Sequence, residues 1–373
     1  MLYRSRAPLR LGLAGGGTDV APYSDQFGGC VLNATINLYS YCTIAPADDG
    51  EVSFHAPERR EEFSATAVAQ FPLSGKLLLH KAVYNRIVRD FNEGQPLPCR
   101  ITTYSDSPAG SGLGTSSTMV VAILGAFTEW LKLPLGDYEI AHLAFEIERL
   151  ELGLAGGKQD QYAAAFGGFN FMEFRSGDRV IVNPLRIRPS TLNELQSSLM
   201  LHYTGVSRDS AQIISDQIRN VTDKSVDSVN AMHAVRADAL EMKDHLLRGD
   251  LPAFARVLGR SWEAKKRTSS VISNPQIDAV FDAALQAGAL SGKVSGAGGG
   301  GFIMFMIDPC RREDVAQALG SFAGGVQRFQ FTSCGIETWT IRPNGARQSA
   351  SPLPVESPLH VNFHEDIPSL KII

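Results

Sequence analysis

Apolar and polar positions change period several times along the chain. Leu9–Ala14 and Val31–Ile44 read as strands, the second rich in Val, Ile, Thr and Tyr. Over residues 76–92 the apolar positions recur at helical spacing, which predicts an amphipathic helix. A short strand at 100–104 leads through a Gly/Ser turn into a long apolar helix from about Ser116 to Leu131. A helix at 136–152, a short one at 158–166 and a hairpin of Phe169–Phe174 with Arg179–Val182 follow. After a loop or short helix at 190–198 and a strand at Leu199–Tyr203, the pattern turns helical, at about 209–222, 226–248, 251–266 and 275–286. A strand–glycine turn–strand unit (Gly292–Ser295, Phe302–Ile307), a helix at 311–319 and strands at 326–331 and 335–341 close the patterned region.

Strands and helices do not alternate one for one, which argues against a doubly wound parallel sheet and for the α+β class. A chain of 373 residues exceeds what one core usually serves. Two domains are expected, 1–190 with the glycine-rich loop that follows the 100–104 strand and 191–342. A tail over 343–373, where Ser, Pro and charged residues take over, reads as loosely attached.

The net charge of -4 offers no general attraction to nucleic acid or to acidic membrane surfaces, so any anionic ligand needs a local arrangement of donors. Cys30, Cys42, Cys99, Cys310 and Cys334 are dispersed, without metal-type spacing, as in the reduced thiols of a cytoplasmic protein. The first residues lack a signal-peptide core, and no run reaches the roughly 20 apolar residues that span a bilayer. A soluble cytoplasmic protein is expected.

Three glycine-rich segments carry the chemistry. The middle one, from Pro108 through Gly110, Ser111, Gly112, Leu113 and Gly114 to Thr115, Ser116 and Ser117, lies between a strand and a long helix. Glycines let backbone approach a ligand, and the free N–H groups and dipole of the following helix favour an anion, which predicts a phosphate cradle. A plain tight turn with a Ser/Thr cap is an equal alternative for this segment alone. No Gly-Lys-Ser/Thr follows, so it is not a Walker A loop, and the helix leads into another helix, unlike a dinucleotide-binding unit. The first segment, Arg6 to Asp19, ends a strand in Gly15-Gly16-Gly17-Thr18-Asp19, and its bland reading is a turn capped by Asp19. The third, Lys293 to Phe302 with Gly298 at its centre, runs straight into an apolar strand, which favours a ligand-facing turn over a linker. In Gly156-Gly157-Lys158-Gln159-Asp160-Gln161 an acid starts a short helix; alone, Asp160 reads as a helix N-terminal charge and Glu148 as a solvated helix residue.

In this order, the three segments resemble the three motifs of the GHMP kinase superfamily, over residues 4 to 341 or so. Arg6–Cys30, Ala155–Gly168 and Ser273–Asp278 are most similar to its D-glycero-D-manno-heptose 7-phosphate kinases, which phosphorylate the anomeric hydroxyl on the route to nucleotide-activated heptose. The resemblance implies a two-domain fold, a ribosomal-protein-S5-like N-terminal domain and a ferredoxin-like C-terminal one, with the active site between them. It implies ATP and Mg2+ as cofactors and a small-molecule sugar phosphate as partner, and it is compatible with a homodimer. Asp160 matches the catalytic aspartate and Arg10 the basic residue that pairs with it. Asp19 matches the acid that bonds sugar hydroxyls, with Gly15, Gly16, Gly17, Thr18 and Gly298 beside the substrate. Residues from Pro108 to Ser117 match the ATP-phosphate loop, and Ser116 and Glu148 the magnesium ligands. Galactokinases carry Glu-His where Gly16 and Gly17 stand here, which argues for a different or bulkier sugar. A 7-phosphate needs a cationic pocket; Lys81, Arg208, Lys265 and Lys266 are candidates, each weighed against a solvated or surface-paired side chain, with Arg208 best placed after a strand end.

Two other readings stay open: a related sugar 1-kinase of the fucose-kinase type, and a non-catalytic sensor that binds sugar and ATP on the same fold. Arg10, Ser116 and Asp160 occurring together weigh against the sensor.

Overall fold

The computed structural model describes residues 1–206, 210–223, 225–269 and 271–342. Arg208 and the expected tail from residue 343 lie outside the described residues.

The first strand, β1 (Leu2–Ala14), is longer than its apolar core, and Leu9, Leu11 and Leu13 alternate onto one fully buried face. There follow α1 (Tyr23–Phe27), β2 (Gly29–Pro46), β3 (Glu51–Ala56), β4 (Glu61–Thr66), α2 (Leu78–Phe91), β5 (Cys99–Ser105) and α3 (Thr115–Leu131). Then come α4 (Asp137–Phe145), α5 (Gln159–Phe166), β6 (Phe169–Phe174) and β7 (Val180–Pro184). The helix expected over 136–152 is two pieces, since α4 passes into a π-helical turn at Glu146–Glu151. Such turns break the regular ladder and are common at functional sites. The pair β3 and β4 was not among the sequence expectations. Its alternation (Val52, Phe54 and Ala56 inward) is short and interrupted by charged turn residues.

These strands form one sheet in the order β12-β1-β2-β5-β3-β4, with β6 and β7 as a hairpin on β2. All pairs are antiparallel except β3 with β5. The remaining elements are α6 (Pro189–Ser198), β8 (Leu199–Tyr203), α7 (Ser210–Thr222), α8 (Val226–Arg248), α9 (Leu251–Lys266), α10 (Pro275–Gln286), β9 (Ala289–Val294), β10 (Phe302–Ile307), α11 (Arg312–Leu319), β11 (Gly325–Gln327) and β12 (Glu337–Ile341). Here β11-β8-β10-β9 make a second, antiparallel sheet in the ferredoxin-like order. The last strand, β12, returns to β1, pairing Leu2 with Ile341. Helix starts follow local chemistry: Asp250 accepts from the Ala253 N–H at the head of α9, and Asn274 accepts from Gln276 and Ile277 before α10, each with Pro in the first turn.

Three apolar layers hold this together. One lies between the first sheet and α2, α3 and α4, with Ile44, Ile101, Val83, Ile123 and Phe127. A second joins both sheets: Leu9, Leu11 and Leu13 of β1 meet Leu199, Leu201 and Met304, with Met242 of α8 and Phe254 of α9. The third packs the far face of the second sheet, Met200, Ile303 and Phe305, against α10 and α11. No helix among the described residues is long and apolar enough to cross a membrane, and all five cysteines are unpaired.

Candidate active site

The middle and third glycine segments are locked together through their backbones. Gly112 (φ +82°) and Gly296 (φ +72°) both take the left-handed conformation that L side chains resist. A Cβ on Gly112 would overlap the Ser295 carbonyl oxygen, and one on Gly296 would lie 2.8 Å from the Gly112 Cα. The Phe302 N–H donates to the Ser111 carbonyl at 2.9 Å, extending the contact. Arg10 Nη1 (2.6 Å) and Ser295 Oγ (2.8 Å) both donate to the Gly112 carbonyl. The loop is stapled internally as well, with Ser111 Oγ 3.2 Å from Thr115 Oγ1, and Leu113 is buried in the core below. Its open side, Gly110, Gly112, Gly114, Thr115, Ser116 and Ser117, faces a cavity of about 260 Å³ at the start of α3.

Arg10 crosses from β1 to this cavity. Its Nε (2.7 Å) and Nη2 (2.6 Å) converge on Oδ1 of Asp160 in the first turn of α5. Asp160 Oδ2 has no protein donor among the described residues and would lie 3.4 Å from a Cβ on Gly114. The paired carboxylate thus stands at the mouth of the loop with one oxygen free. Asp19 also reaches the cavity but is buried and occupied. Its Oδ1 accepts from Gly17 N (3.0 Å) and Gln159 Nε2 (3.0 Å), and its Oδ2 from Gln159 N (3.1 Å). Burial raises its pKa, against the opposing pull of those backbone donors. Gly17 and Gly298 line the cavity, whereas Gly15 and Thr18 support from behind: Thr18 Oγ1 donates to the Gly15 carbonyl at 2.8 Å and closes the turn.

Glu148 sits on the π-helical turn and is buried. Gln161 Nε2 donates to its Oε2 at 2.6 Å and to Ser117 Oγ at 3.1 Å. Among the described residues Glu148 Oε1 accepts no hydrogen bond, and Arg149 Nη1 stands 3.7 Å from it. Burial raises the Glu148 pKa, and Arg149 beside it works in the other direction. A carboxylate oxygen without a hydrogen bond, beside a hydroxyl and on the cavity that the glycine loop lines, fits a hard divalent cation. Magnesium in particular takes one or two carboxylates and completes its shell with phosphate oxygens and water. Ser116, the hydroxyl expected to share that role, is exposed in the first turn of α3 and lines the same cavity, and the hydroxyl coupled to Glu148 is Ser117.

Of the described cationic candidates, Lys265 alone reaches the cavity. Lys81 donates to the Ser74 carbonyl and lies over Phe63, and Lys266 pairs with Glu263. Lys293 is buried with its ammonium on the Gly12 carbonyl at 2.7 Å, next to the register shift between Gly12 and Ala14 that interrupts the β1–β2 ladder. Among the lining residues without an assigned role in the sequence are Arg149, Gln159 and Gln217. The first two are neighbours of Glu148 and Asp160, a signal that was available. Gln217 comes from α7, which long-range packing alone brings in.

The arrangement has the parts that phosphoryl transfer calls for: a glycine loop at a helix start, a paired carboxylate with a free oxygen, and a second buried carboxylate suited to a cation. Two family models match the chain, GHMP kinases N terminal domain over residues 78–168 and GHMP kinases C terminal over 242–324. The chain is 48% identical over 338 residues to D-glycero-alpha-D-manno-heptose 7-phosphate kinase of Campylobacter jejuni, covering 91% of this chain and 99% of that protein. L-fucokinase/L-fucose-1-P guanylyltransferase of Bacteroides fragilis is 29% identical, over 82% of this chain and 34% of its own length. Among solved structures, a D-glycero-D-manno-heptose 1-phosphate kinase from Bacteroides thetaiotaomicron matches with a TM-score of 0.78 and 50% identity, over 91% and 99% of the two chains. Lactococcus lactis galactokinase, at 16% identity, TM-score 0.71 and coverage of 90% and 95%, shares the fold alone. The chain belongs to the GHMP kinases. It is an enzyme, with ATP as its phosphoryl donor.

Proposed function

We propose that this kinase transfers the γ-phosphoryl group of ATP to the anomeric hydroxyl of D-glycero-D-manno-heptose 7-phosphate, giving the 1,7-bisphosphate for nucleotide-activated heptose synthesis in the cytoplasm. The observation that carries the reading is the Arg10–Asp160 pair at the mouth of the phosphate loop, in a chain 48% identical to a kinase named for that sugar phosphate.

Phosphoryl transfer depends on placement and charge neutralisation more than on covalent help. The loop from Pro108 to Ser117 cradles the ATP phosphates on its N–H groups and on the head of α3. The attacking hydroxyl lies against the free Oδ2 of Asp160, which accepts its proton. Arg10, fixed on Oδ1, holds the carboxylate in its orientation. Asp19, held by Gln159, positions sugar hydroxyls above the Gly15–Gly17 turn. Glu148 with the Ser116 and Ser117 hydroxyls would hold Mg2+, which supplies charge neutralisation on the phosphates when bound. A division of the chain near residue 190 accompanies this reading, with the phosphate loop in the first part.

Phosphorus NMR of the product from ATP and the heptose 7-phosphate tests it. A second phosphate resonance coupled to the anomeric proton is expected; a new phosphate on any other carbon would displace the reading.

A further inference from the structure

Lys265 belongs to the last turn of α9, and packing of that helix carries its side chain into a cleft built largely on the first half of the chain. The side chain is buried, and Nζ donates to the Gly296 carbonyl at 2.5 Å. An ammonium has three donors, and Gly296 is its one hydrogen-bond acceptor among the described residues. The other buried cations among the described residues are committed elsewhere: Arg10 to Asp160 and Gly112, Lys293 to the Gly12 carbonyl, Lys81 to the Ser74 carbonyl and Lys158 to Asp178. Lys265 is therefore a cavity-lining cation with donors to spare; Arg149, which also lines the cavity, spreads its donors over the Gly157 and Leu154 carbonyls and Ser117 Oγ.

Its position is specific. Gly296 rests on Gly112 of the phosphate loop, while on the other side a Cβ on Gly16 would lie 3.7 Å from Nζ. The ammonium stands at the seam between the phosphate-binding backbone and the glycine turn assigned above to the acceptor.

We propose that Lys265 is a further catalytic residue, whose ammonium binds the phosphoryl group as it crosses from nucleotide to acceptor. This rests on the kinase reading above. In the step, the bond from the γ-phosphorus to the oxygen bridging it to the β-phosphorus breaks, and its electron pair leaves with ADP. The acceptor oxygen bonds to phosphorus, and the acceptor's proton passes to Asp160. The group in flight spreads its charge over three oxygens, and Lys265 donates to one of them. Burial above all, with Arg10 adding to it, lowers the Lys265 pKa to about 8, and Asp19 and Asp160 oppose the shift; buried Lys293 lies within electrostatic range.

The test compares wild type, Lys265→Met and Lys265→Arg by steady-state ADP release with ATP, magnesium and heptose 7-phosphate, alongside calorimetric ATP binding. Lys265→Met is expected to lower kcat by about 10²-fold or more, the scale of losing one preorganised transition-state donor, with Lys265→Arg recovering part of the loss. Its acceptor KM and ATP affinity should stay within about threefold of wild type. A raised acceptor KM at unchanged kcat would assign Lys265 to the acceptor's phosphate and overturn the proposal. A kcat within about threefold of wild type would also overturn it. Binding of ADP with aluminium fluoride and magnesium separates this from the choice of sugar. Lys265→Met should weaken that complex by about tenfold or more while leaving ADP binding intact, because the donor acts on the phosphoryl mimic alone. Equal affinity for the mimic would overturn the proposal whatever sugar wild type accepts.

Discussion

The role proposed for Asp160 rests on its two oxygens being treated differently. Arg10 occupies Oδ1 with two nitrogens, and Oδ2 faces the cavity. Asp160→Asn keeps the shape and loses the base, so kcat should fall by about 10²- to 10⁴-fold while ATP affinity stays unchanged. Turnover assays beside calorimetry check both halves. For Lys265 the sign of the pH effect separates activity from stability. Its pKa near 8 lies below the unfolded-state value of about 10.4. Holding the proton when folded therefore costs stability at pH values below about 8, and the cost is relieved as pH rises through the folded pKa. Activity should decline over that same rise as the ammonium is lost. A kcat/KM profile with an alkaline limb near pH 8 in wild type, shifted upward in Lys265→Arg, is the expected result.

Legibility at this scale followed local motif spacing. Arg10, Asp160 and Glu148 stand in runs that resemble family motifs, and the structure brings all three to one cavity. The coupling of Glu148 to Ser117 was not readable, because it depends on where Gln161 turns after the π-helical segment. Lys265 and Gln217 sit on amphipathic helices whose inward faces look like any others in sequence; only the packing of α7 and α9 over the glycine turns gives them a ligand to face.

Among elements, the interlocking of two glycine loops is the feature that a single motif does not reveal. Each segment, taken alone, reads as a turn. Together they form one backbone-to-backbone contact in which Gly112 and Gly296 leave no room for Cβ. Gly296→Ala should lower stability by more than the roughly 1–2 kcal/mol of left-handed strain alone, and weaken ATP binding, because the phosphate loop must shift. Gly177→Ala, at φ +69° on an open hairpin tip with nothing within 4 Å, supplies the strain-only comparison. Urea denaturation with ATP titration of both variants measures the difference. Most helices and the long strands were legible from their periodicity. The β3–β4 pair was not, because strands of six residues each, broken by Pro57, Glu58 and Arg59, give too few repeats of period two.

Across the whole molecule, the apolar layer under β1 ties the two sheets together, and β12 closes the first sheet from the far end of the chain. Leu11 meets this shared layer, so Leu11→Ala should cost about 2–5 kcal/mol. Both halves should unfold in one transition, with far-UV circular dichroism and tryptophan fluorescence moving together. Two separate transitions would show that the sheets fold independently.

The central claim is that this cavity phosphorylates a heptose already carrying a phosphate. Rates of ADP release from ATP and magnesium with D-glycero-D-manno-heptose 7-phosphate, the unphosphorylated heptose, mannose, fucose and galactose test it most directly. A kcat/KM highest for the 7-phosphate is the predicted result. Turnover of a free sugar alone, or ATP binding with no turnover of any of them, would contradict it.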